Sequence, residues 1–215
     1  MIELLFKYAK PVKIFVIVTF INALLNLNRN KKNNLFLIAI LAICSLTELI
    51  NPILKYIEIS NSLFITISII LHHFIWLVLL KSNMILKKSG LIFIIIFIAF
   101  GFFNLIFLSG FFKFNYYTFV AGALIYILLF IWESFYRLKE ENLLFFFSNT
   151  YILLCAPVLF FFGYSFMFAF SSKELTDKII FGNLMLYDFI SCFVNVLLYT
   201  LLNIYIYREK KFQYA

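Results

Sequence analysis

Seven apolar stretches, each near the length of a bilayer crossing, decide what this chain can become. They cover residues 11–27, 35–54, 62–80, 91–112, 116–136, 143–170 and 179–207. A hydrocarbon core about 30 Å thick needs roughly 20 apolar residues in a helix. Inside that core a segment must satisfy its own backbone hydrogen bonds, which a helix does. The separators are short and polar, and none is long enough to fold into a domain. The sequence therefore predicts an all-α protein with one domain over residues 1–215. That domain is a polytopic transmembrane bundle of seven helices with short loops. Composition agrees: 65% of residues are hydrophobic, 13% are charged, and mean hydropathy is +1.02. A soluble domain is about half apolar and about a quarter charged. With 31 phenylalanines, too much apolar surface is present for one water-soluble core. A cytosolic globular enzyme, a disordered chain and a disulfide scaffold are excluded.

The net charge of +8 does not point to nucleic acid. Lys and Arg sit between the apolar runs, where topology signals belong, so a lipid bilayer is the expected partner and nucleic acid is not. The loops after spans 1, 3 and 5 and the C-terminus carry 11 basic residues: Arg29, Lys31, Lys32, Lys81, Lys87, Lys88, Arg137, Lys139, Arg208, Lys210 and Lys211. The other side carries 7: Lys7, Lys10, Lys13, Lys55, Lys113, Lys173 and Lys178. The positive-inside rule then places the N-terminus outside and the C-terminus in the cytoplasm. The stretch before span 1 holds Glu3, Lys7, Lys10 and Lys13, and no small-residue cleavage site follows. It reads as a retained first span. Cys44, Cys155 and Cys192 lie inside apolar runs, without CxxC or metal spacing.

Polar groups at bilayer depth are costly and often mark function. Glu48 lies near the outer end of span 2, and Pro52 one turn later removes the N–H that would bond its carbonyl. Glu48 reads as a ligand or proton site, or as an interhelical hydrogen bond. His72 and His73 are adjacent in the middle of span 3. Neighbouring helical residues point about 100° apart, so at most one can face a given site, and the pair has no metal spacing. Glu133 and Arg137 are an i, i+4 pair in the favourable order and read as a salt bridge. Asp188 heads a stripe in span 7 with Cys192, Asn195, Tyr199 and Asn203, which fall within about 80° of one another. The stripe lines a pocket or makes interhelical hydrogen bonds, each worth about 0.6 kcal/mol. Glu48, Asn104 and Asp188 all fall in the outer half of the membrane, with His72 and His73 near mid-depth. Together with Asn195 and Tyr199, they are the candidate residues of an outward-opening cavity.

Several activities lack their residues. No lysine lies between Lys178 and Arg208, so the last helix cannot carry a retinal Schiff base. HExxH, GxSxG, a Walker A loop and an EF-hand loop are absent. No catalytic residue, metal or cofactor is expected.

Four short segments carry a resemblance. They are Leu46-Thr47-Glu48-Leu49-Ile50, Asn61-Ser62-Leu63, the run from Tyr117 to Gly122, and Leu186-Tyr187-Asp188 with Asn195 to Tyr199. In order and spacing the chain resembles a loosely defined group of small seven-span bacterial membrane proteins, some encoded beside sensor histidine kinases. The resemblance implies a signalling or accessory role, with the effector on another polypeptide, and supplies no catalytic residues. Three functions follow. The first is a non-enzymatic membrane sensor or accessory subunit that signals to a protein partner on the cytoplasmic side. The second is a small transporter or ion-conducting protein. The third is an intramembrane lipid enzyme.

Overall fold

The computed structural model describes residues 11–108, 110, 113–169, 178–181 and 184–213. Its elements run α1 (Pro11–Asn26), α2 (Lys32–Tyr56), α3 (Ser62–Asn83) and α4 (Lys87–Phe103), which continues as a π-helical turn over Asn104–Leu108. Then come α5 (Tyr116–Lys139), α6 (Leu143–Phe147), α7 (Asn149–Ala169), β1 (Ile179–Phe181), β2 (Leu184–Met185) and α8 (Leu186–Gln213). Among the described residues, six helices are long and apolar enough to cross a membrane: α2, α3, α4 with its π turn, α5, α7 and α8. Where the first crossing is predicted, α1 is an apolar helix shorter than those six, with 16 described residues.

The outer faces match lipid. On α1, Ile14, Val18, Ile21 and Leu25 are exposed at helical spacing, and on α4 Ile92, Ile95, Ile96 and Phe103 are exposed. Apolar faces of this extent would drive association in water. In hydrocarbon they are solvated, and this is the surface of an integral membrane protein.

The helices close into a ring. Contacts run α1 to α2, α2 to α3, α3 to α5, α5 to α7, α7 to α8, and α8 back to α1. The helix α4 stands outside that ring, packed on α3 and α5. The core inside includes Trp76, Tyr126, Phe161, Leu37, Leu41 and Leu80, all nearly inaccessible. Tyr126 satisfies its hydroxyl by donating to the Leu154 carbonyl at 2.8 Å, in the turn where Pro157 interrupts the hydrogen-bond ladder of α7.

Local chemistry sets the boundaries. The Asn115 side chain accepts the Thr118 N–H to start α5, and Asn142 accepts the Phe145 N–H to start α6. The predicted span 143–170 is broken in two. Ser148 adopts an extended backbone, and its Oγ accepts the Tyr151 N–H at 3.1 Å, so it acts as a cap for α7. Residue 170 lies outside the described residues. The predicted span 179–207 is displaced toward the C-terminus, its helix running Leu186–Gln213. Residues Ile179–Phe181 and Leu184–Met185 pair as antiparallel strands, and the helix begins at Leu186. Span 91–112 is helical through Leu108, its last turn a π-helix, while residues 109, 111 and 112 lie outside the described residues. Two helix ends reverse the chain through a glutamate at positive φ, Glu58 (φ 57°) after α2 and Glu141 (φ 53°) after α5. In each case the next N–H bonds five residues back: Ile59 to the Leu54 carbonyl, and Asn142 to the Arg137 carbonyl. These are Schellman-type ends.

Candidate functional site

Chain order places the first turns of α1, α3, α5 and α8 and the last turns of α2 and α7 at one end of the bundle. In that half lies a cavity of about 310 Å³. Every helix of the ring contributes a lining side chain, and α4 contributes none.

The charged part of the wall is one ion pair. Lys13 of α1 places Nζ 3.1 Å from Glu48 Oε2 of α2, with side-chain exposures of 23% and 34%. Glu48 sits one turn before Pro52, the proline inside α2. The polar part belongs to α7 and α8. Asn195 Nδ2 donates to the Tyr164 hydroxyl at 2.9 Å and to the Ser191 carbonyl at 2.7 Å. The Tyr164 and Ser191 hydroxyls are themselves 2.7 Å apart. Both N–H groups of Asn195 are thus engaged, which leaves Oδ1 as the remaining polar atom of a side chain that lines the cavity and is only 7% exposed. Tyr199 lines the same wall, with Cys44 opposite on α2. The aromatic part is Phe119, Phe160 and Tyr164. The rings of Phe160 and Tyr164 are 4.9 Å apart, and those of Phe119 and Tyr164 6.0 Å apart.

The two histidines part company, as their angular separation requires. His72 lines the cavity and is 9% exposed. Its Nε2 accepts from Trp76 Nε1 at 3.1 Å, so a neutral ring carries its proton on Nδ1. That N–H is the group it can offer to the cavity. His73 is not among the lining residues and packs among α4, α5 and α7. Its Nδ1 meets the Ile69 carbonyl at 2.9 Å, and its ring stacks on Phe161 at 4.7 Å and meets Phe119 edge-on at 4.8 Å. Gly122 makes room for it, since a Cβ there would lie 2.6 Å from His73 Cδ2.

Of the expected site residues, Glu48, His72, Asn195 and Tyr199 come together in the cavity, and His73 does not. Asn104 does not reach it either. It is fully buried between the π turn and α5, bonded to Asn115 and at 3.1 Å to the Thr118 hydroxyl, because α4 stands outside the ring. Asp188 is not among the lining residues. With α8 starting at Leu186 it falls in the first helical turn, where a carboxylate favours the helix dipole. The stripe on α8 divides: Asn195 and Tyr199 face the cavity, while Asn203 knits α8 to α1. Its Nδ2 donates to Thr19 Oγ1 at 2.8 Å, and its Oδ1 accepts from Asn22 at 2.7 Å. Lys13, Tyr164, Tyr187 and Ser191 were not expected in the site. Lys13 gives a signal in being two residues past Pro11, already inside the helical run. Ser191 gives one in lying one turn before Asn195.

The opposite half is solid. There Glu133, 2% exposed, takes Arg137 Nε at 2.7 Å and the Ile85 N–H on both oxygens at 3.2 Å. The salt bridge read from the sequence thus also pins the connection between α3 and α4. Glu209 binds Lys31 at 2.8 Å and Asn149 at 2.9 Å. Tyr205 donates to Asn34 Oδ1 at 2.6 Å. Among the described residues, no three His, Cys, Asp or Glu side chains gather to hold a metal. Lys7, Lys10 and Lys173, which entered the charge balance, lie outside the described residues. No family model, curated protein or solved structure matches the chain.

Proposed function

We propose that this chain is a non-enzymatic membrane sensor or accessory subunit of seven spans, with α1 as the first and its N-terminus outside. A ligand enters the cavity, and the state change passes to a protein partner at the cytoplasmic end. The observation that carries this reading is the placing of the cavity. All six ring helices line it in one half of the bundle, while the other half is packed with Leu, Trp and Tyr and with the Glu133 and Glu209 clusters. A ligand touching every ring helix can bias their positions through differential contacts. Small helix shifts are an established way to carry such a bias. The ends that would move carry Arg29, Lys32, Lys139 and Lys210, the basic surface offered to a partner.

The test places spin labels at Asn30 and Glu140, in the α1–α2 and α5–α6 turns, and fills the cavity with Ser191→Trp in liposomes. The expected result is a changed distance distribution between the labels. An unchanged distribution in a folded variant would count against a sensor. A second reading, a small transporter, is favoured by the polar side chains that continue below the cavity from Asn203 to Asn22 and Asn26. Flux of protons or small solutes above that of empty vesicles would select it.

A further inference from the structure

We infer that the cavity takes a neutral zwitterion of the amino-acid class, an ammonium and a carboxylate on one small molecule with an aromatic body. This rests on the cavity being a ligand site, as proposed above.

The charge balance of the wall is the first argument. Lys13 and Glu48 are the only charged side chains lining the cavity among the described residues, and they neutralise each other. A cation bound at Glu48 would strand the Lys13 ammonium, and an anion bound at Lys13 would strand the Glu48 carboxylate. A charge left without its partner beside the aromatic wall is less favourable than a compensated one. A zwitterion replaces both partners. Its carboxylate meets Lys13, its ammonium meets Glu48, and the site stays neutral throughout. The single Lys13–Glu48 contact at 3.1 Å leaves most of the carboxylate's acceptor capacity free for this exchange.

The second argument is the unused polar capacity beside that pair. An ammonium brings three donors, and Asn195, which lines the same cavity, has both amide N–H groups engaged and its Oδ1 left to accept. A ligand carboxylate brings acceptors, and His72 has Nδ1–H to offer once Trp76 holds Nε2. The wall therefore holds an acceptor and a donor beyond the ion pair, in the complement a zwitterion needs.

Size and shape complete it. A volume of about 310 Å³ is at the small end of ligand pockets, which span roughly 300–1,000 Å³. It suits a metabolite and is too small for an acyl-chain lipid. Phe119, Phe160 and Tyr164, with ring centroids 4.9 to 6.4 Å apart, present edges and faces to a further ring, and aromatic rings prefer such offset or edge-to-face contacts.

The experiment uses the full chain in detergent and follows thermal unfolding and calorimetric binding. The probes are L-phenylalanine, L-tryptophan, phenethylamine and 3-phenylpropionate at millimolar concentration. The two zwitterions should bind at least about tenfold more tightly than the amine or the acid, since each of those loses one charged hydrogen-bonding pair. Glu48→Gln and Lys13→Gln should each weaken L-phenylalanine by at least about tenfold. Should a variant fail to fold, N-acetyl-phenylalanine and phenylalanine methyl ester on the unaltered protein read the same two contacts from the ligand's side. Equal binding of amine and zwitterion would overturn the inference and leave the cavity a cation site. If no probe binds and Ser191→Trp still shifts the spin-label distances, the inference alone fails. If no probe binds and the distances stay fixed, the sensor reading fails with it.

Discussion

Tyr199 and Tyr205 lie on the same helix, fewer than two turns apart, and both are nearly inaccessible, yet their neighbours differ. Tyr205 is 2% exposed and donates to Asn34 Oδ1, whose amide in turn donates to the Asn28 carbonyl. Tyr199 lines a cavity. Two carboxylates, Glu133 and Glu48, divide along the same line. Glu133 is enclosed by Arg137 and the Ile85 N–H, and Glu48 has one lysine and a 34% exposed side chain. In one half the clusters around Glu133, Glu209 and Tyr205 hold the helices in register, although Asn149 Oδ1 and Ser134 Oγ are buried there without a partner. In the other half polar groups are arranged toward a space, and part of their capacity is unspent. A polar group in a membrane bundle therefore says little by its identity, and its enclosure decides whether it is a fastener or a contact for something else.

The sharpest way to break this contrast is to remove the two carboxylates in turn. Glu133→Ala should destabilise the protein by about 3–5 kcal/mol, because it leaves Arg137 without its partner in a buried site. It also frees the connection between α3 and α4. Glu48→Ala should cost about 1 kcal/mol or less, the scale of a partly exposed pair. Denaturant or thermal unfolding in detergent compares them directly, and equal losses would erase the distinction between the halves.

The tyrosines give a smaller contrast of the same kind. Tyr205→Phe leaves Asn34 Oδ1 without its donor in the solid half, at a cost of about 1–3 kcal/mol. Tyr164→Phe removes a hydroxyl from Ser191 and Asn195, but both face the cavity, where water can replace it. That change should cost less than about 1 kcal/mol. A larger loss for Tyr164→Phe, measured by the same unfolding, would mean that the cavity wall is a structural fastener.

What the sequence disclosed follows the physics of each signal. Run length located the helices that span, because hydrocarbon thickness sets it. The 100° step separated His72 from His73 before any coordinates, and the i, i+4 spacing found Glu133 with Arg137. Hydropathy, in contrast, is blind to the difference between strand and helix in a short apolar run. Ile179 to Met185 was therefore read as helix, although Gly182-Asn183 is a hairpin signal. Ser148 was overlooked as a cap because one serine barely lowers the hydropathy of 143–170. Asn104 was misplaced for a different reason. Which side of span 4 faces the interior depends on α4 lying outside the ring, a tertiary fact with no local trace. Lys13 was counted as a topology charge, since only the fold shows that it pairs with Glu48.

The smallest prediction separates local backbone strain from this division of the bundle. Glu58 and Glu141 both hold positive φ, one at the hollow end and one at the solid end. Each closes its helix with the N–H of the following residue bonded five residues back. A side chain with a Cβ is penalised in that conformation by roughly 1–2 kcal/mol relative to glycine. Glycine gives part of that back through its greater freedom in the unfolded chain. Glu58→Gly and Glu141→Gly should therefore each raise stability by up to about 1 kcal/mol, and by similar amounts, because the penalty belongs to the residue's own backbone. Thermal unfolding of the two variants and of the double variant checks this, and additive gains are expected for sites so far apart. If Glu141→Gly were destabilising while Glu58→Gly stabilised, the Glu141 side chain would be holding the α5–α6 turn by contacts of its own. The solid half would then extend its closed polar network to the very edge of the bundle.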